Sequence, residues 1–108
     1  ALQDEITSAI ASPGFRGCPF INAATEFPDA THPVRRAVEE HREWYIDILE
    51  QLLRRMGYPL SGDAADDLML ARDGAMTGGY AGDPIASATA LVRAFDRVRS
   101  EATRAVAA

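Results

Sequence analysis

Apolar residues recur along this chain at spacings of three and four, and nowhere do they alternate over a strand-length run. The pattern predicts five helices and no strand. Leu2, Ile6, Ala9 and Ile10 fall on one side of the first, residues 2–11, which Ser12-Pro13-Gly14 ends because Pro cannot continue a helix and Gly turns the chain. The second, residues 18–26, is short and almost wholly apolar or small, so burial on most sides is expected. A loop from Pro28 leads to the third, with Thr31 or His32 as N-cap and Pro33 in the first turn, where a missing N–H costs nothing.

The third helix, residues 33–56, is the clearest element. Val34, Ala37, Val38, Trp44, Tyr45, Ile48, Leu49, Leu52, Leu53 and Met56 give it a broad apolar face over roughly 36 Å. Ile46 falls off that face, so a second neighbour is expected to cover it. Gly57 stands where the residue after the C-cap should be, and Pro59 follows. The fourth helix is predicted over residues 63–76, with Ser61 or Gly62 near its cap. At its end Gly74, Gly78, Gly79 and Gly82 read either as a loose helix end and turn or as small residues admitting a close neighbour. The fifth, capped by Asp83 and running over residues 84–106, carries the stripe Ile85, Ala88, Leu91, Val92, Phe95, Val98 and Ala102.

The expected fold is thus a single all-α helical bundle over residues 1–108. Composition narrows its role. Nearly half of the residues are apolar and a quarter charged, which is ordinary for a globular domain. The net charge of −5, with eleven Arg and no Lys, is poor for gripping DNA phosphates. No apolar run approaches the roughly 20 residues that span a bilayer, and no signal peptide is visible. The single Cys rules out an internal disulfide and fits a cytoplasmic protein.

Candidate chemistry is sparse. Cys18 lies in an apolar helix, where a thiol behaves as a small hydrophobe, and no spacing links it to a base. His32 and His41 are nine apart and lack a metal-binding motif, so no metal or other cofactor is expected. The glycine stretch lacks the lysine and preceding strand of a phosphate loop. Asp73 can pair with Arg72 or Arg93, or point into a cavity. No acid, base or nucleophile set emerges for an enzyme.

The stretch Arg16-Gly17-Cys18-Pro19-Phe20-Ile21-Asn22-Ala23-Ala24-Thr25-Glu26-Phe27-Pro28, followed by His32-Pro33-Val34-Arg35, resembles a segment of the C-terminal, ligand-sensing half of TetR/AcrR-type transcriptional repressors. The resemblance implies that residues 17–27 and 33–56 belong to a sensor core, and that residues 63–77 and 84–103 form a two-fold dimer interface. It also implies that DNA is bound only through an N-terminal helix-turn-helix, absent from this chain, and that a ligand relieves that binding by moving the helix joining sensor and reader.

From the helix faces themselves, a mostly apolar pocket is expected between the second, third and fourth helices. Its candidate lining is Phe20, Ile21, His41, Trp44, Tyr45, Ile48, Met69, Asp73 and Met76, with Asn22 as a further polar handle, suited to a small apolar or aromatic effector. A homodimer is expected along the last two helices through Ile85, Ala88, Val92 and Phe95. The competing reading is a helical homodimerisation module with no small-molecule ligand.

Overall fold

The computed structural model describes residues 2–107, with side chains described as far as Glu101. Five helices follow in order: α1 (Leu2–Ala11), α2 (Pro19–Glu26), α3 (Pro33–Arg55), α4 (Ser61–Ala81) and α5 (Pro84–Ala107). Ala102, assigned to the apolar stripe of the last helix, lies outside the described side chains.

Local chemistry accounts for the boundaries. Cys18 is the N-cap of α2 and Pro19 takes its first turn, so the helix starts one residue later than the apolar pattern suggests. His32 caps α3: its Nδ1 accepts the backbone N–H of Val34 at 3.1 Å. At the other end Gly57 adopts φ 85°, its N–H donates to the Arg54 carbonyl, and that of Tyr58 donates to Leu53. This is a Schellman turn, whose left-handed residue costs little only when it is glycine. Asp83 Oδ1 accepts the N–H groups of Ile85 and Ala86 at 3.0 and 3.1 Å, which starts α5.

α4 is the main correction to the sequence reading. It spans Ser61–Ala81 and runs straight through Gly74, Gly78 and Gly79. Each glycine weakens a helix by about 1 kcal/mol relative to alanine, so packing must supply the difference. A Cβ on Gly79 would stand 2.8 Å from Ile10 Cγ2, and one on Gly78 would stand 2.7 Å from Ser87 Oγ. Two of the glycines therefore let α1 and α5 lie close against α4.

α4 is the central helix: α5, α3 and α1 all pack on it, α1 also rests on α5, and α2 packs on α3. The core joins Ile6 and Ile10, Leu49 and Leu53, Leu68, Met69 and Met76, and Leu91, Phe95 and Val98. Leu91 is only 1% exposed, and burial of such a side chain contributes roughly 1.5–3 kcal/mol.

Two expectations about burial fail. α2 has no fully buried residue, because α3 is its main support. On α3, Val38, Leu49 and Leu53 are buried, but Trp44, Ile48, Leu52 and Met56 are 58, 39, 44 and 42% exposed. These four recur every fourth residue and form a partly exposed stripe, whose end at Leu52 and Met56 borders a small groove with Leu68 of α4. No helix among the described residues is long and apolar enough to cross a membrane.

Candidate functional site

The polar residue in the middle of α2 has a structural task. Asn22 Nδ2 donates to the Arg16 carbonyl at 2.8 Å, closing the loop that leads into α2. Phe20 then stacks on His41 of α3, with ring centroids 3.6 Å apart and planes at 5°. His41 lies 5.8 Å from Trp44 and 6.1 Å from Tyr45, centroid to centroid. Four of the residues assigned to a pocket thus form one aromatic layer between α2 and α3. Met69 and Met76 pack into the core, and Ile48 lies on the exposed stripe of α3.

Next to this layer lies a charged cluster. Arg72 of α4 is buried, at 8% exposure. Its guanidinium carbon sits 5.0 Å over the Tyr45 ring, its Nη2 is 3.4 Å from Cys18 Sγ, and its Nη1 donates to Asp73 Oδ1 at 3.1 Å. The buried Nε has no hydrogen-bond partner. Asp73 also accepts from Arg42 of α3, Nη2 to Oδ2 at 2.6 Å and Nη1 to Oδ1 at 3.2 Å. That fork ties α3 to α4 and holds the Arg42 guanidinium above its ordinary pKa through the hydrogen bond to Asp73. Burial holds the Tyr45 phenol above its ordinary value as well.

Beside the Arg42–Asp73 pair a groove of about 870 Å³ opens between α2, α3 and α4. Ile21, Ala24, Val38 and Ile46 supply its apolar surface, and Thr25, Arg35, Glu39, Arg42, Glu43, Asp73 and Thr77 its polar surface. Of the expected pocket residues, Ile21 and Asp73 line this groove; Phe20, His41, Trp44, Tyr45 and Ile48 do not. Ile46, off the main apolar face of α3, is half-buried against the core and borders this groove. Arg35 is fixed at one end by donating to the carbonyls of Phe27 and Pro28 at 3.2 and 3.1 Å.

Sequence reasoning missed Arg42, and it offered Arg72 as a partner of Asp73 without its burial. A signal for Arg42 existed: Val38, Arg42 and Ile46 recur every fourth residue, on a second ridge of α3 that Ile46 alone had revealed. The burial of Arg72 gave none, since an arginine next to Asp73 reads as a solvated pair.

The α5 residues assigned to a dimer seam divide. Phe95 is packed in the chain's own core with Leu91 and Val98. Ile85 is 79% exposed and lines, with Ala88 and Val92, a groove between α1 and α5. A separate face of α4 and α5 is made of small residues: Ala71 and Gly74 on one helix, Ser87, Ala90 and Ala94 on the other, with Arg97 at its margin. Leu70 stands 73% exposed close by.

The model of the tetracyclin repressor-like C-terminal domain matches residues 1–56, half of the chain. The chain belongs to this TetR-type family. A solved TetR-family transcriptional regulator from Streptomyces coelicolor is 39% identical to it, with a TM-score of 0.90 over 94% of this chain. The TetR-type chain spans about half of that regulator, 53% of its length. None of the curated proteins matches it. The match to the family model ends at Met56, yet the likeness to the solved regulator extends over α4 and α5, so the whole five-helix arrangement is that of a TetR-family regulator domain.

Proposed function

We propose that this chain is the effector-sensing and dimerising part of a TetR-type transcriptional repressor, and that DNA is read by another part of the parent protein. The observation that carries the sensing half is the open groove between α2, α3 and α4. It combines an apolar floor with a few polar groups, as small-molecule sites do, and its walls come from three helices that a ligand could move relative to one another. A ligand shifts such an equilibrium only through its different affinity for the two states. The small-residue face of α4 and α5 supports the dimerising half.

Trp44 is the only tryptophan and belongs to the aromatic layer that joins α2 to α3, so its emission reports on movement of a groove wall. In a screen of apolar and aromatic metabolites, a true effector shifts Trp44 emission and raises the melting temperature in a concentration-dependent way. In gel-shift assays the chain alone, with its net charge of −5, gives no sequence-specific complex with DNA. A salt-resistant specific shift would overturn the division of labour proposed here. The second reading, a dimerisation module without a ligand, draws on the burial of Met69 and Met76 in the core; it prevails if no compound in a broad screen moves either signal.

A further inference from the structure

We infer that the groove between α2, α3 and α4 takes an amphipathic organic acid carrying a single carboxylate, which binds by taking Arg42 from Asp73. The inference rests on the sensor reading above and names its ligand class.

The carrying observation is a charge imbalance. Two guanidiniums, Arg42 and Arg72, share the one carboxylate of Asp73, leaving one positive charge over at a half-buried site. The imbalance falls on Arg72. It is the more buried of the two, with a side chain 10% exposed against 32% for Arg42. It also has the poorer partners: a thiol, one carboxylate oxygen and a ring face, with Nε left without an acceptor. A buried cation so weakly paired is costly. Arg42, by contrast, holds Asp73 through both forks and faces the groove.

A carboxylate entering the groove resolves the imbalance. It meets the Arg42 fork in the planar two-bond geometry that guanidinium and carboxylate share. Asp73 is then free to turn both oxygens to Arg72. Two one-to-one ion pairs replace a three-membered cluster with charge left over. Ile21, Ala24, Val38 and Ile46 accept the apolar body of the acid. The lining also carries the exposed Glu39 and Glu43. They disfavour a second negative charge on the ligand, so phosphates and dicarboxylates fit less well than a monocarboxylate. Because Arg42–Asp73 joins α3 to α4, the exchange also releases a tie between the sensor helices and the central helix.

The test is calorimetric titration of the chain with phenylacetate and octanoate against their uncharged counterparts, phenylacetamide and octanamide. The acids are expected to bind at least about tenfold more tightly than the amides, the discrimination that a charged hydrogen-bonded pair gives. Asp73→Asn, which removes the competitor for Arg42, should bind the acids more tightly than the wild type does. Arg42→Lys, which keeps the charge and loses the fork, should bind them more weakly. Circular dichroism melts establish that each variant is folded, and the acid–amide comparison needs no variant at all. Equal binding of acids and amides overturns the ligand class and leaves the sensor reading standing. Absence of binding by the acids to both wild type and Asp73→Asn also overturns it, while the sensor reading is decided separately by the wider screen with neutral compounds.

Discussion

At the scale of single residues, the cluster around Asp73 shows why paired charges must be weighed by partner and burial. Removing Arg72 and removing Asp73 are expected to have opposite consequences. Arg72→Met deletes a buried cation whose Nε is unsatisfied and keeps most of its volume, so stability should change by less than about 1 kcal/mol or rise. Asp73→Ala strands the buried Arg72 without a carboxylate and unties Arg42. Breaking a fully buried pair costs roughly 3–5 kcal/mol; with Asp73 one-fifth exposed, about 2 kcal/mol is the expected loss. Urea titrations of the two variants check the contrast, which fails if Arg72→Met is the more damaging. The glycines of α4 divide in the same way. Gly79→Ala gains about 1 kcal/mol of helix propensity. Its new methyl would meet the packed Ile10 at 2.8 Å, and overpacking costs about 1–3 kcal/mol, so a net loss is expected. Gly78→Ala meets only the Ser87 hydroxyl, which can rotate away, and should be close to neutral.

At the scale of elements, the helix ends and their order were legible in the sequence because they depend on local chemistry. Asp83-Pro84, His32-Pro33 and Gly57 act on their own neighbours, and all three hold in the structure. The end of α4 was illegible for the opposite reason: what keeps Gly78 and Gly79 helical is Ile10 and Ser87, which no local pattern reveals. The same holds for the site. Cys18, Phe20, Tyr45 and Asp73 could be picked out as unusual, but Arg42, the partner that ties Asp73 to α3, lies 31 residues away. One further inter-element tie has a pH signature. Tyr58, in the turn before α4, donates to Glu101 of α5 at 2.6 Å. That carboxylate raises the Tyr58 pKa above its ordinary 10.0, and burial raises that of Tyr45. Groups raised in the folded state contribute stability that is present below the ordinary value and lost as pH rises through the folded one. Urea midpoints should therefore stay level up to about pH 9 and fall above about pH 10, and Tyr58→Phe should flatten that fall. An equal alkaline decline in a Tyr45→Phe, Tyr58→Phe double variant would assign the effect elsewhere.

At the scale of the whole molecule, the seam proposed along α4 and α5 has to be separated from the core that the same helices build. Phe95 cannot serve, because it is 9% exposed within one chain and a charge placed there would unfold the monomer. Ala94 and Gly74 can serve. Both line the small-residue face, Gly74 has no atom within 4 Å of where its Cβ would stand, and Leu70 beside them is 73% exposed. On the proposed reading, this face of alanine, serine and glycine, with Gly74 and Ala90 exposed, takes a second helix pair at the 8–10 Å axial separation typical of packed helices. Ala94→Arg should leave the helical content and urea midpoint of the monomer nearly unchanged, since the new side chain can reach water. In a two-fold dimer the same substitution sets two like charges in an apolar seam, where each isolated charge is costly. Sedimentation equilibrium at tens of micromolar should show a dimer for wild type and a folded monomer for Ala94→Arg, a range in which an interface tighter than about 1 μM is filled. A variant that remains dimeric would move the seam off this face and onto the groove between α1 and α5, where Ile85, Ala88 and Val92 lie; a wild-type chain that stays monomeric would leave sensing, without dimerisation, as the role of these five helices.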